Sequence, residues 1–137
     1  MDIFSELKKL DFPTDQYVVI GGAAMAGRGI KETKDLDLLL SRSLIETLKK
    51  DPTWHHHPRI VPTEEAGLVN DDGTVELYPT IAGFEQGFDD LKERVEMING
   101  FPFANLHDVI KIKQTYNREK DIKDIERIQN YLQQLVA

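Results

Sequence analysis

The sequence predicts a single α/β or α+β domain, and three observations support this fold class. The chain has 137 residues, a length that suits one compact domain. Short runs of β-prone apolar residues alternate with segments that have the apolar periodicity of a helix. Glycine, asparagine and proline signals separate these runs. We therefore expect one domain over residues 1–137, with strands and helices mixed along the chain.

The N-terminal part is predicted to fold as helix, strand and helix. Residues 2–11 place their apolar side chains on one helical stripe. The apolar run 17–20 is β-prone and ends at Gly21 and Gly22, which therefore lie at a strand-to-helix junction. Backbone N–H groups at such a junction can bind an anion. The alanine-rich helix that follows should stop near Gly27 or Gly29.

A second strand is predicted over residues 35–40. Because successive side chains of a strand point to opposite faces, Asp35 and Asp37 should share one face and the leucines at 36, 38 and 40 the other. Residues 41–50 are predicted to form a helix with Ser41 or Ser43 as its cap, closed by Pro52.

The C-terminal half is predicted to contain two strand pairs and two helices. Two strands should flank the turn at residues 70–73, and Asn99-Gly100 is typical of a hairpin turn between strands at 95–98 and 101–105. The last two helices are predicted at about 106–116 and 119–136.

The segment from Trp54 to Pro62 is predicted to be a loop. It contains three consecutive histidines, His55 to His57, with Pro58 and Pro62 after them. Three consecutive imidazoles cannot all converge on one ion, so we favour a loop over a metal site. We expect Trp54 to cover the core or an interface.

The composition excludes several classes of protein. The net charge is −7, from 24 acidic and 17 basic residues, which argues against an extensive nucleic-acid surface, although the bases between Lys111 and Lys123 form a local cluster. We expect no membrane segment, and the acidic N-terminus is unlike a signal peptide, so we expect a cytoplasmic protein. With no cysteine, a metal would have oxygen or imidazole ligands, which favours hard ions such as magnesium.

Three acids are candidate metal ligands. Phosphoryl and nucleotidyl transfer depend on cations placed among phosphate oxygens, and in two-metal sites these ions lie about 3.5–4 Å apart. Asp35 and Asp37 have a suitable spacing, and Glu76 alternates with apolar Val75 and Leu77 as a third acid on a neighbouring strand should. Most Asp-x-Asp pairs are solvated surface charges, but aspartate is depleted in strands, and such a conflict is typical of a functional site.

The spacing of these motifs resembles a known family. Gly21-Gly22, then twelve residues, then Asp35-Leu36-Asp37-Leu38 is similar to the signature of the nucleotidyltransferase superfamily. Thr33-Lys34-Asp35-Leu36-Asp37 is most similar to its small bacterial abortive-infection and toxin-type branch. The similarity continues through Ile98-Asn99-Gly100-Phe101 and Leu106-His107-Asp108-Val109-Ile110 to Lys113, Arg118, Asp121 and Asp124, so it covers about residues 17–130.

The resemblance implies a fold, an activity and a set of site residues. The fold would be a central mixed β-sheet flanked by helices, with two C-terminal helices. The activity would be transfer of a nucleoside monophosphate from an NTP to a hydroxyl acceptor, with two magnesium ions. The implied metal ligands are Asp35, Asp37 and Glu76, and the implied nucleotide-binding residues are Gly21, Gly22, Lys113, Arg118 and Asp121.

Two departures from the family pattern keep an alternative open. Many members carry a phosphate-binding hydroxyl where this chain has Ala23 and Ala24, and the third acid is usually aspartate, whereas this chain has Glu76. The alternative is a catalytically silent nucleotide-binding or protein-interaction module, such as a toxin–antitoxin component. For an enzyme this short, acceptor binding would need a homo-oligomer or a protein partner.

The charges near the C-terminus can also be interpreted without the family. Helical periodicity turns Lys113 inward and places Asp121 on the buried stripe of the last helix, with Arg118 beside it. That stripe is predicted to consist of Ile122, Ile125, Ile128, Leu132 and Leu135. Buried charges need partners, so a purely structural Lys113–Asp121 ion pair is an open alternative to a ligand site. Arg28 and Lys31 are further candidates for phosphate contact.

Overall fold

The computed structural model describes residues 1–58 and 65–136 and shows a mixed α/β architecture. Within these residues, seven strands form one sheet. They are β1 (Tyr17–Ile20), β2 (Leu36–Leu40), β3 (His55–His57), β4 (Gly67–Val69), β5 (Val75–Tyr78), β6 (Glu96–Ile98) and β7 (Phe101–Phe103). The predicted α/β class with a mixed sheet is thereby confirmed.

Six α-helices accompany the sheet in the described residues. They are α1 (Ile3–Leu10), α2 (Gly21–Ala26), α3 (Arg42–Leu48), α4 (Phe88–Leu91), α5 (Leu106–Tyr116) and α6 (Glu119–Val136). A 3-10 turn over Lys92–Arg94 follows α4. Helix α2 packs on β1, β2 and α5, α4 packs on β1, and α5 packs on α6.

The sheet is mixed, with the strand order β3-β4-β5-β2-β1-β7-β6. Strand β1 runs antiparallel to β2 and parallel to β7. Strand β2 runs parallel to β5, with Asp37 opposite Glu76. The β3–β4, β4–β5 and β6–β7 pairs are antiparallel. The centre of the sheet is thus formed by β5, β2 and β1.

The core lies on these central strands. All four residues of β1 are buried, and Leu36, Leu38 and Leu40 of β2 are each at most 1 % exposed. Burial of such aliphatic side chains stabilises the fold by about 1.5–3 kcal/mol each. Trp54 packs against Phe12, with ring centroids 6.2 Å apart, in accord with the predicted role of covering the core.

Most local predictions are confirmed. Strand β1 ends at the glycine pair, Ser41 caps α3 by accepting a hydrogen bond from the Leu44 N–H, and residues 70–73 separate β4 from β5. The Asn99-Gly100 turn joins β6 to β7, and α5 and α6 have the predicted bounds. No helix in the described ranges has both the length and the apolar character needed to cross a bilayer.

The predictions for the histidine segment and for the apolar stripe of α6 are wrong. His55–His57 is a strand rather than a loop, because it pairs with β4 at the edge of the sheet; the predicted loop's Pro62 lies outside the described residues. On α6, Ile122 and Leu135 are 55 % and 63 % exposed. The buried residues of that helix are Asp121, Asp124 and Ile128, so its buried stripe is more polar than predicted.

Candidate functional site

Two of the predicted acids face each other across the central strands. Asp37 in β2 and Glu76 in β5 are direct partners in the parallel register. Asp35 is exposed and lies one residue before β2, which begins later than predicted. The Thr33 hydroxyl fixes the backbone of Asp35, since it accepts from the Asp35 N–H (3.3 Å) and donates to the Asp35 carbonyl (3.0 Å).

The glycine turn lies directly against Asp37. Gly21 has φ +64°, and a Cβ at this position would lie 2.8 Å from Oδ2 of Asp37. A side chain here would be unfavourable for two reasons, the left-handed backbone and the contact that would force the carboxylate to move. Gly22 faces elsewhere: a Cβ there would lie 3.2 Å from Thr33 Oγ1 and 3.5 Å from Lys31 Cε.

A cleft of about 240 Å³ brings most of the predicted site together. Seven of the eight predicted site residues line it, namely Gly21, Asp35, Asp37, Glu76, Lys113, Arg118 and Asp121. Gly22 is not among the lining residues. The same cleft has a largely apolar wall, formed by Ile20, Ile81, Val109, Ile112 and Tyr116. The cleft therefore combines acids, cations and an apolar surface.

Asp37 is the most strongly perturbed acid of the cleft. Burial is the main cause that raises its pKa, from 3.8 to about 7, and the negative charges of Glu76 and Asp35 and a hydrogen bond with Glu76 add to the effect. Lys113 partly opposes this rise. Although the residue is half-buried, its Oδ1 is fully buried and has no hydrogen-bond partner in the described part of the chain. Such a carboxylate is unsatisfied unless a proton or a cation binds there.

Glu76 is held by side chains from its own strand and the sheet edge. Tyr78, two residues along β5, donates its hydroxyl proton to Oε2 of Glu76. Nε2 of His57, in the edge strand β3, lies 3.7 Å from the same oxygen, and its ring stacks edge-on against Tyr78. The Tyr78 hydrogen bond orients the Glu76 carboxylate, whereas Nε2 of His57 is buried and has no hydrogen-bond partner among the described residues.

Lys113 is buried, as predicted, but its main partner differs from the predicted one. Its Nζ lies 2.9 Å from Oδ2 of Asp124 and 3.8 Å from Oδ1 of Asp121. The predicted Lys113–Asp121 pair is thus present as the longer contact. Burial alone would raise the pKa of Asp124, but hydrogen bonds and positive charge from Lys113 and Lys31 hold it below its ordinary value.

Asp121 is bound chiefly by Arg118. Its carboxylate accepts hydrogen bonds from the Arg118 backbone N–H (3.1 Å), Nε (2.6 Å) and Nη2 (3.2 Å). Burial would raise the pKa of Asp121, and these contacts lower it overall. Arg118 was predicted to lie on the buried stripe of α6, but it precedes the helix and its side chain is 44 % exposed, beside the ring of Tyr116.

The two candidate phosphate contacts in the segment after α2 are already engaged. Arg28 donates to the carbonyls of Ala24 and Ala104 at 2.8 Å and pairs with Glu96 at 3.0 Å, with its side chain only 5 % exposed. Arg28 is therefore bound to the protein and is not among the residues that line the cleft, so its phosphate contact stays a prediction. Lys31 pairs with Asp124 at 2.9 Å, with its side chain 30 % exposed.

The donor chemistry of the acid end suits a hard cation. Asp35, Asp37 and Glu76 offer only carboxylate oxygens to this end of the cleft. Among residues 1–58 and 65–136, no three acidic or imidazole side chains lie in a ready-made metal-binding arrangement. The unsatisfied Oδ1 of Asp37 is the observation that fits a bound cation.

Three contributors to the site were not assigned from the sequence. Asp124 could have been found from its spacing, since it lies three residues after Asp121 and four before buried Ile128. Tyr78 could have been found because it shares a strand face with Glu76. His57 gave no local signal, because its position depends on the pairing of β3 with β4.

The chain matches no protein-family model and shows no significant similarity to a curated protein.

Proposed function

We propose that this protein is a metal-dependent nucleotidyltransferase, which transfers a nucleoside monophosphate from an NTP to a hydroxyl acceptor. The observation that supports this most directly is the meeting of three acids with Lys113 and Arg118 in one cleft beside the Gly21 turn. Acids that bind cations and cations that bind phosphates are the two components that this chemistry needs.

The arrangement of strands supports the nucleotidyltransferase fold as the finer assignment. A strand, a glycine pair and a helix precede an antiparallel strand that begins beside Asp35 and carries Asp37. A parallel neighbouring strand supplies Glu76 in register with Asp37. The sequence resemblance implies the same order of glycine pair, helix and acid pair within a mixed sheet.

In the proposed site, Asp35, Asp37 and Glu76 hold two magnesium ions. When bound, magnesium supplies positive charge to the phosphate oxygens. The buried Oδ1 of Asp37, which has no hydrogen-bond partner among the described residues, would be one ligand atom of this site. The absence of cysteine is consistent with this ligand set and with a cytoplasmic setting.

The other residues bind and orient the substrates. Lys113 and Arg118 bind the phosphates, and the apolar wall around Tyr116 receives the nucleobase. The acceptor oxygen bonds to the α-phosphorus, the bond from that phosphorus to pyrophosphate breaks, and Glu76 accepts the hydroxyl proton. The cleft is smaller than the roughly 300–1,000 Å³ of most ligand pockets, so a second copy or a protein partner would contribute to acceptor binding.

One observation favours the alternative of a silent nucleotide-binding module. Helix α2 begins with Gly21, Gly22, Ala23 and Ala24, so no side chain at its start offers a hydroxyl to phosphate. Such a protein would bind NTP and release it unchanged.

Calorimetric titration of ATP, GTP, CTP and UTP with magnesium tests the proposal. We expect magnesium-dependent binding that is lost in Asp35→Asn/Asp37→Asn. A matched control is Asp11→Asn/Asp15→Asn, which changes the charge equally at two exposed positions away from the cleft and should bind as wild type does. The absence of binding at millimolar NTP would refute the proposal, and binding without turnover in a screen of labelled NTP and acceptors would favour the silent module.

A further inference from the structure

Asp124 is a buried carboxylate that binds three cations at once. It is 3 % exposed and accepts from Lys31 at 2.9 and 3.0 Å, from Lys113 at 2.9 Å and from Arg127 at 2.9 Å. Hydrogen bonds between ionised groups are short and strong, and burial strengthens them. Asp124 does not itself line the cleft.

The three cations belong to different parts of the fold. Lys31 lies in the segment between α2 and β2, Lys113 in α5 and Arg127 in α6. The Lys31 side chain also lies beside the glycine turn, since a Cβ at Gly22 would approach its Cε to 3.5 Å. One carboxylate therefore connects the segment that leads to the acid pair with the helix that carries the buried lysine of the cleft.

We propose that Asp124 is a positioning residue: it holds the Lys113 side chain directed at the cleft, and it anchors Lys31 beside the glycine turn. The inference rests on the proposed function in that the anion to be bound is a triphosphate. A lysine has a flexible four-carbon stem, so a single contact is needed to fix its direction. The buried carboxylate of Asp124 supplies that contact.

Electrostatics alone makes the opposite prediction, which allows a sharp test. Around Asp121 and Asp124 stand Lys31, Lys113, Arg118 and Arg127, a local excess of two positive charges. Replacing Asp124 by asparagine removes a negative charge, so general attraction for an anion should increase. If Asp124 positions Lys113, affinity should fall instead.

The first measurement is calorimetric titration of inorganic tripolyphosphate with magnesium. We expect Asp124→Asn to bind at least about tenfold more weakly than wild type, as the loss of one charge-assisted contact would cause. Arg127→Met is the matched control, since it removes a half-exposed partner of Asp124 that lies outside the cleft, and it should stay within about twofold of wild type. Equal or tighter binding by Asp124→Asn would overturn the inference.

Asp124→Glu gives a second variant if Asp124→Asn does not fold. It keeps the negative charge but moves the carboxylate by one methylene. We expect it to weaken tripolyphosphate binding as well, whereas binding equal to wild type would overturn the positioning role.

A measurement without ligand separates this inference from the proposed function. NMR detection of lysine ¹⁵N ammonium groups shows those that are hydrogen-bonded and shielded from exchange. We expect signals for Lys113 and Lys31, assigned with Lys113→Arg and Lys31→Arg, that persist in Asp121→Asn and disappear in Asp124→Asn or Asp124→Glu. Persistence of the Lys113 signal in the Asp124 variants would overturn the inference, whether or not triphosphate binds to wild type. Failure of the wild type to bind triphosphate would by itself refute only the proposed function.

Discussion

Replacement of Gly21 by alanine should show whether the glycine turn contributes to ligand affinity in addition to its effect on fold stability. The backbone at Gly21 has φ +64°, and the new Cβ would lie 2.8 Å from Oδ2 and 3.6 Å from Cβ and Cγ of Asp37. Gly29 provides a matched control, because its φ is +74° and a Cβ there meets nothing within 4 Å. The two alanine variants therefore share the backbone strain and differ in the contact with the acid.

The magnitude follows from these two terms. Left-handed backbone costs an L-residue about 1–2 kcal/mol, so both Gly21→Ala and Gly29→Ala should lose about that much unfolding free energy. At Gly21, the carboxylate must also move by several tenths of an ångström to reach an ordinary carbon–oxygen separation. Asp37 is packed against Glu76 and has a buried Oδ1, so this movement disturbs the arrangement of the acids.

The assay is urea unfolding of both variants together with calorimetric titration of NTP and magnesium. We expect both variants to be destabilised and only Gly21→Ala to lose at least about tenfold in affinity, about 1.4 kcal/mol of binding free energy. Wild-type affinity in Gly21→Ala would refute the reasoning that the glycine turn is part of the site. A Gly29→Ala protein as weak in binding as Gly21→Ala would show that strain, rather than the contact with Asp37, causes the loss.

Three further predictions follow. Because the pKa of Asp37 is raised to about 7, the folded state keeps a proton between about pH 4 and 7 that the unfolded state releases. The unfolding free energy of the wild type should therefore fall as pH rises through that window. Urea unfolding across pH should show a smaller fall in Asp37→Asn. Arg28→Met should lower the unfolding free energy by about 2–4 kcal/mol, because the hydrogen bonds to the carbonyls of Ala24 and Ala104 are lost. Calorimetry should show an unchanged NTP affinity, and weaker binding by a variant that keeps full stability would favour a phosphate role for Arg28. Tyr116→Leu should lower the affinity for NTP but not for tripolyphosphate, because only NTP carries a nucleobase to contact the ring. Equal losses of affinity for both ligands would place the nucleobase elsewhere.

Local sequence patterns predicted much of the secondary structure, because turn formation and apolar periodicity depend on residues close together in the chain. The alternation of leucines and aspartates predicted β2, the Asn99-Gly100 turn predicted a hairpin, and apolar periodicity predicted the bounds of α5 and α6. The inward direction of Lys113 also followed from periodicity, since it depends only on the helix and its apolar face.

Sequence patterns failed to predict the structure of a segment where contacts with a distant segment determine it. The histidine segment has no strand alternation of its own and becomes β3 by pairing with β4. Arg28 appeared free for phosphate, but two carbonyls brought near by folding take its donors. Ile122 is apolar yet exposed, because α6 turns its acids toward Lys113 instead.

The sequence by itself determined which side chains could form a site: a glycine turn after a buried strand, two acids spaced for one strand face and a lysine turned inward. Only the tertiary structure decided how they meet. It set β5 parallel to β2 so that Glu76 faces Asp37, and it made Asp124 the nearer partner of Lys113. The physical reason is that periodicity fixes the direction of a side chain within its own element, whereas strand register and ion pairing depend on contacts between residues distant in the chain.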